Sequence, residues 1–252
     1  MKAFLALCAF AAVTGLAIAD DPAGSWLSYA AYKAPGSARI TLINTTWIVP
    51  SDPKTSFGSN APGWWYGVQT ADGAGALIQP ILAYGYQGSV FSIFNGVFDW
   101  NDQSWHTSDE VYTVQPGDKI TSSVVYREKD NSYDMIIAAD GKSITTNYKI
   151  LPAQGDKNES VAYFVLEHQP LFCAAYPSDG VCTFENIYIE VDGKAVTPDW
   201  KAEQEDPKCD SKATIVNPET IKFTWNSKAR TRNNVAIPAL ESMKKWGFGY
   251  KN

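Results

Sequence analysis

The sequence contains few of the residues that usually bind metal ions. Only two histidines, His106 and His168, and four cysteines occur among 252 residues, and no CxxC or Cys/His cluster brings them together. Zinc sites in proteins draw their ligands chiefly from these two residue types. We therefore predict no metal site, and we expect no cofactor.

Long apolar runs are absent after residue 19. A membrane-spanning helix needs about 20 consecutive apolar residues, and no later segment approaches that length, so we expect no membrane partner. Residues 1–19 combine a positive charge at Lys2, an apolar stretch Phe4–Leu16 and a small-x-small cleavage site Ala17–Ala19, the pattern of a signal peptide. We expect the mature protein to begin at Asp20 and to be secreted into the extracellular space.

Positive charge is scarce over most of the chain. The net charge is −6 and the pI about 5.0, so nucleic acid is not an expected partner. The last 33 residues, from Thr220 to Asn252, carry seven basic residues against Glu241, a net +6 that leaves −12 for the rest. We interpret residues 227–252 as a basic tail that is either solvated or docked on an acidic partner, and the sequence predicts no oligomeric state.

Sustained helical periodicity is missing between residues 24 and 226. Short segments rich in β-branched and aromatic residues recur instead, separated by turns that contain Gly or Asp. The segments that favour strands are 39–49, 63–69, 76–82, 90–100, 111–114, 119–127, 132–138, 143–150, 161–168, 182–191 and 220–225. This pattern predicts an all-β domain over residues 20–226, a two-sheet antiparallel sandwich with a polar loop at 199–210.

Two features of the sequence agree with export. If Cys8 leaves with the signal peptide, then Cys173, Cys182 and Cys209 remain, so one disulfide and one free thiol are expected in an oxidising compartment. Cys173–Cys182 would close the shortest loop, but the sequence leaves the pairing open. Two glycosylation sequons begin at Asn44 and Asn158.

One strand-like run carries a carboxylate among apolar residues. It extends from Ala162 to His168 and contains Glu167. Because strands place alternate side chains on one face, Glu167 shares a face with Tyr163 and Val165, and Phe164 points the other way. A carboxylate on such a face is costly to bury without a partner, which makes Glu167 a candidate acid/base group; the alternative is a strand-end Glu that reaches solvent.

Four segments in order resemble the motifs of the eqolisins, the glutamic endopeptidases. They are Trp64–Gly67, Leu77–Gln79, Val114–Ile120 and Ala162–Glu167. The 14 residues from Trp65 to Gln79 and the 50 residues from Gly117 to Glu167 match the spacing of that family. The resemblance covers roughly residues 25–226 and implies a concanavalin-A-like sandwich of two curved antiparallel sheets.

The resemblance also implies a site and a reaction. Glu167 would be the general base and acid, Gln79 would bind the oxyanion and position the water, and Trp65 would form a wall of the cleft. A secreted, acid-acting endopeptidase with a polypeptide substrate is the expected function. We add Gln69, Asn95 and Asp99 as candidate substrate-binding residues.

Three departures from the family pattern leave an alternative open. The resemblance leads us to expect Asp where this chain has Gln69, Asp where it has Ala83 and Glu where it has Asn95. The sandwich sequence also follows the signal peptide directly, so we expect no propeptide. The alternative is a non-catalytic module that binds carbohydrate or another polymer through aromatic residues such as Trp64, Trp65, Trp100 and Trp105.

Overall fold

The computed structural model describes residues 26–36, 38–54, 62–100, 103–151, 157–167 and 173–229. The signal peptide, His168 and residues 230–252 of the basic tail lie outside these ranges. The described residues form sixteen β-strands and three short 3₁₀ turns, Glu128–Asp130, Cys173–Ala175 and Lys208–Asp210. In the described part of the chain, no helix has the length and apolar character needed to cross a membrane.

The strands form two antiparallel sheets. Sheet A has the spatial order β14 (Lys201–Gln204), β1 (Trp26–Lys33), β11 (Glu159–Glu167), β3 (Gly63–Thr70), β4 (Ala76–Tyr84), β5 (Phe91–Asp99) and β6 (Ser104–Thr107), with β7 (Tyr112–Val114) also paired to β5. Sheet B has the order β10 (Lys142–Lys149), β9 (Ser132–Ala139), β8 (Lys119–Arg127), β2 (Ile40–Ile48), β12 (Val181–Val191), β16 (Thr220–Thr224) and β15 (Lys212–Asn217), with β13 (Lys194–Val196) paired to β12.

The main core lies between the two sheets. Tyr66 of sheet A has its ring centroid 6.2 Å from that of Trp47 of sheet B, and its hydroxyl donates to Ser122 Oγ at 2.9 Å. Phe164 packs edge-on against Phe184 at 5.0 Å. The two antiparallel sheets and this shared core confirm the concanavalin-A-like sandwich.

The alternation predicted for β11 is confirmed. Phe164 and Leu166 belong to the core between the sheets, whereas Val165 and Tyr163 belong to a second apolar cluster on the outer face of sheet A, the face turned away from sheet B. Glu167 follows the same alternation and lies at the end of the strand.

Three strands of sheet A were not predicted: β1 and β14 lie at one edge of the sheet, and β6 lies at the other. In β1 a register shift between Trp26 and Ser28 interrupts the alternation of buried and less buried side chains. Leu27 and Ser28 are therefore both buried although they are consecutive. The polar loop predicted at 199–210 is wrong over Lys201–Gln204. Its side chains are all exposed, and the strand conformation comes from pairing with β1 rather than from an apolar pattern.

The structure settles the cysteine pairing that the sequence left open. Cys173 is bonded to Cys209, 36 residues later, with a Cα–Cα distance of 5.4 Å. The remaining thiol, Cys182, is buried, and burial raises its pKa. Because the thiolate is the reactive species, this thiol is inert in the folded chain.

Reduction of the Cys173–Cys209 bond is expected to lower the free energy of unfolding by roughly 2–4 kcal/mol, because it releases a long loop in the unfolded chain. Denaturant unfolding with and without reductant measures the loss. Cys182→Ala is the matched control, since it removes a thiol that forms no bond and should leave the effect of reductant unchanged. A reductant effect that persists in Cys173→Ser would contradict the assignment.

Candidate active site

Glu167 lies at the end of β11, between a tryptophan on one neighbouring strand and a glycine on the other. It is paired in register with Trp26 of β1 on one side and with Gly63 of β3 on the other. The indole N–H of Trp65 donates a hydrogen bond to its Oε2. Beyond Gly63 the same row of the outer face continues with Ala83 and Ser92, so small side chains leave space beside the carboxylate.

Gln79 lies on the same outer face, on β4. It is paired with Gly96 of β5, and Gly67 is its neighbour on β3. Its side chain is only 4% exposed, and its Oε1 atom has no hydrogen-bond partner among the described residues. A buried carbonyl oxygen without a partner costs about 1–3 kcal/mol, a cost that a bound water molecule or ligand atom at this position would offset.

Glu167, Trp65 and Gln79 follow a diagonal across three strands. Gln79 is two strands from Glu167 and four residues further along the sheet. At usual strand spacings a flat sheet would separate the two Cα atoms by about 16 Å. Trp65 lies between the two residues on this diagonal, in the row of the outer face that separates theirs.

Gln69 also lies on the outer face, one row from Gln79. It is paired with Val161 of β11 and is fully buried. Its Nε2 donates to the Gly73 carbonyl at 3.1 Å, whereas its Oε1 has no partner among the described residues. This hydrogen bond holds the turn between β3 and β4, and β4 is the strand that carries Gln79.

Asn95, a candidate substrate-binding residue, does not lie on the outer face with Gln79. Asn95 points into the space between the sheets, where its Nδ2 donates to the Met135 carbonyl at 3.0 Å and to Thr146 Oγ1 at 3.1 Å. Because its neighbour Gly96 pairs with Gln79, alternation turns Asn95 away from the outer face. Its role is to join sheet A to sheet B.

Asp99, the other candidate substrate-binding residue on β5, also faces away from Gln79. It shares the inner face of β5 with Asn95, is almost fully buried, and accepts a hydrogen bond from the Tyr148 hydroxyl of sheet B at 2.8 Å. Asn95 and Asp99 are four residues apart on one strand, so alternation places them on the same face of β5. The pairing of Gln79 with Gly96 shows that this face is not the one that carries Gln79.

Aromatic rings cover much of the outer face near Glu167. Trp26 contacts Trp65, Tyr29 and Tyr163 edge-on, each at a centroid distance of 5.1 Å. Trp105 packs on the same face from β6, whereas Trp64 faces the core between the sheets. Trp26, Tyr29 and Tyr163 had not been predicted as site residues, because the bulge in β1 hides the alternation that would have identified the first two.

The two sequons occupy different environments. Asn44 lies in the middle of β2, half-buried and paired with Ser123 and Tyr188. Asn158 precedes β11, and its Oδ1 accepts a hydrogen bond from Arg39 Nη2 at 2.5 Å. Glycosylation at either position stays a prediction. Within the described ranges, no group of three or more His, Cys, Asp or Glu side chains could hold a metal ion.

Solved structures of glutamic peptidases share this architecture. Scytalidoglutamic peptidase, determined with a peptide-based transition-state analogue, is similar to this chain with a TM-score of 0.57 and 15% identity, over 80% of this chain and 98% of the peptidase. SCP-B, an eqolisin in complex with the tripeptide Ala-Ile-His, gives 0.54 and 15% over the same shares. Aspergilloglutamic peptidase from Aspergillus niger gives 0.48 and 20% over 66% of this chain and 98% of its own.

No protein-family model and no curated protein matches the sequence. The resemblance seen in the four ordered motifs is therefore supported by similarity of structure. It covers nearly the whole of the first two peptidases at low identity. The chain has the fold of the eqolisins, the glutamic endopeptidases, as a strongly divergent version of it.

Proposed function

We propose that the protein is a secreted, acid-acting endopeptidase that hydrolyses peptide bonds with Glu167 and Gln79. The observation that carries this proposal is the diagonal of Glu167, Trp65 and Gln79 on one face of sheet A, with the Trp65 indole bonded to the carboxylate. The two similar peptidases with bound peptide ligands support a polypeptide substrate.

The proposed reaction uses one carboxylate and one amide. Ionised Glu167 removes a proton from a water molecule as the water oxygen bonds to the peptide carbonyl carbon. The carbonyl oxygen becomes an oxyanion, to which Gln79 Nε2 donates a hydrogen bond. Glu167 then passes the proton to the amide nitrogen as the C–N bond breaks, which regenerates the carboxylate and releases a carboxylic acid and an amine.

The geometry suggests where the reacting atoms would lie. A peptide carbonyl above Trp65 would occupy the gap between Glu167 and Gln79, and the unpartnered Gln79 Oε1 could accept a hydrogen bond from the attacking water. The Trp65 N–H donates to Glu167 Oε2 and so fixes the carboxylate at the end of β11. Gly63 and Ala83, which are paired beside the carboxylate, have small side chains and leave room there for the substrate backbone.

Purified protein is expected to cleave a denatured polypeptide between about pH 2 and 5, the acidic range that the resemblance to the glutamic endopeptidases implies for a carboxyl that acts as base and then as acid. The assay follows new amino termini by mass spectrometry, with a metal chelator and an inhibitor of aspartic peptidases present. Gln79→Ala should lower kcat/KM by roughly 100-fold, the usual loss for one oxyanion donor. Cleavage that Gln79→Ala leaves unchanged would contradict the role of the amide.

A binding module is the second candidate, and one specific observation favours it. Tyr29 and Tyr163 are half-exposed on the outer face beside Trp26, and aromatic rings of this kind stack on apolar faces of ligands. The burial of Gln79 also restricts access to its amide. Retention on insoluble polysaccharide that is lost in Tyr29→Ala but retained in Glu167→Gln would support this alternative, and no retention on any polymer would exclude it.

A further inference from the structure

Gln79 has a glycine neighbour on each adjoining strand of sheet A. Gly96 of β5 is its registered partner, and a Cβ added at Gly67 of β3 would lie 3.2 Å from Gln79 Cβ and 2.3 Å from the Ile78 carbonyl oxygen. Glycine inside a strand marks a place where another group approaches closely. Side chains of the two neighbouring strands therefore do not restrain Gln79 at its own level of the sheet.

The two glycine positions are not equivalent. On the Gly96 side the space is filled by Trp105, because a Cβ at Gly96 would lie 2.5 Å from Trp105 Cη2 and 2.7 Å from its Cζ2. Trp105 is paired with Phe98, one row away, so its ring leans diagonally across the strand to lie over Gly96. Ile81 Cδ1, 3.0 Å from the same point, closes the remaining space.

On the Gly67 side the three atoms nearest to an added Cβ belong to Ile78 and Gln79, and none of the three belongs to an aromatic ring. The next residue in this row is Tyr163 of β11, paired with Gly67, and the carboxylate of Glu167 lies four residues further along that strand. With the space over Gly96 filled by Trp105, the side of Gln79 that faces β3 and β11 is left to its amide, and Trp65 and Glu167 lie on that side.

We propose that Trp105 is a positioning residue that holds the Gln79 amide toward Glu167 by occupying the space over Gly96. This inference rests on the proposed function for its kinetic consequence, although the placement of the amide is independent of any reaction. Trp105 touches no reacting atom; it acts by removing the side-chain conformations of Gln79 that point away from the carboxylate.

The first test compares substitutions by steady-state kinetics at acidic pH. Trp105→Ala empties the space over Gly96 and is expected to lower kcat by roughly 10- to 100-fold with little change in KM, because displacement of a catalytic group by about 1 Å has effects of this size. Trp105→Phe keeps a ring at the position and should recover most of kcat. Gly96→Ala expels the ring from the opposite direction and should reproduce the Trp105→Ala loss.

Tyr86→Ala is the matched control for these substitutions. Tyr86 is a half-buried ring on the same face, stacked on Phe94 at a centroid distance of 4.3 Å, and its removal should leave kcat within about twofold because it does not border Gly96. An equal loss of kcat in Tyr86→Ala and Trp105→Ala would overturn the proposal, since the effect would then be general loss of packing.

The second test measures the surroundings of the Gln79 amide by NMR and does not depend on catalysis. The side-chain N–H resonances of Gln79, identified by their disappearance in Gln79→Glu, should lie in the ring-current field of Trp105. They should shift by more than their linewidth in Trp105→Ala and in Gly96→Ala, but not in Tyr86→Ala. Unchanged resonances in Trp105→Ala would overturn the proposal, whereas shifted resonances in a protein that cleaves nothing would leave the positioning intact and reject only the endopeptidase function.

Discussion

Glu167→Gln is expected to abolish peptide-bond cleavage while the sandwich still folds. The substitution keeps the shape of the side chain and an oxygen that can accept the Trp65 hydrogen bond, but it removes the group that takes a proton from water. Loss of a general base costs typically 10²- to 10⁴-fold in rate, and we expect a fall of about 10³-fold or more, because Glu167 serves as base and then as acid. The measurement is kcat/KM for one peptide at the acidic optimum.

Glu203→Gln is the control for this prediction. Glu203 is an exposed carboxylate on edge strand β14, paired in register with Tyr29, so the substitution makes the same change of charge on the same sheet at a distance from Gln79. Its kcat/KM should stay within about twofold of the original, and thermal unfolding should confirm that both variants fold. Comparable losses in the two variants would remove Glu167 from the proposed mechanism.

The second large effect concerns a buried ion pair that joins the two sheets at the other end of β11. Arg39 Nη1 donates to Glu159 Oε2, and the side chains are 12% and 0% exposed. The Arg39 guanidinium also lies 4.2 Å from the Tyr126 ring centroid. Glu159 Oε1 has no partner among the described residues, so Arg39 provides most of the compensation for this buried carboxylate.

Arg39→Met is expected to lower the free energy of unfolding by roughly 3–5 kcal/mol at pH 7, because it leaves a buried carboxylate without its counter-charge. The double variant Arg39→Met/Glu159→Gln should recover a large part of this loss, since it removes both charges. Urea unfolding of the two single variants and the double variant forms a mutant cycle. Equal stabilities of Arg39→Met and the double variant would show that the charge of Glu159 is not the cause.

The same pair makes stability depend on pH with a definite sign. Burial raises the pKa of Glu159, and the charge of Arg39 partly opposes the rise. A carboxyl whose pKa is higher in the folded chain than in the unfolded chain takes up its proton first when folded, so its contribution favours folding in acid and is lost as the pH rises through the folded pKa. The destabilisation caused by Arg39→Met should accordingly be smaller near pH 4 than at pH 7.

Sequence alternation was sufficient where strands are bounded by turns and carry one apolar face. It placed Tyr163, Val165 and Glu167 together on β11, and the pairings confirm that face. It failed for Trp26, because a register shift in β1 breaks the period of two. It also failed for β14, whose four side chains are all exposed and whose conformation depends on a partner strand.

Asn95 illustrates what a motif position cannot establish. Its interval from Gln79 was compatible with either face of β5, and only the registered pair of Gln79 with Gly96 showed that Asn95 faces sheet B. The cysteines show the same limit. Three thiols permit three pairings, and the distance that joins Cys173 to Cys209 arises only when the segments around β12 and β15 pack together.

The amino-acid sequence alone determined that this chain is a two-sheet antiparallel sandwich and that Glu167 and Gln79 belong to its most informative motifs. The first conclusion depends on local periodicity and turn chemistry, which are properties of neighbouring residues, and the second depends on the four ordered motifs that resemble those of the eqolisins. Only the tertiary structure decided that Trp65 lies between Glu167 and Gln79 on one face of sheet A, that Asn95 and Asp99 join the sheets, and that Trp105 lies over Gly96. These facts depend on strand order and register, which the hydrogen-bond ladders between distant segments establish.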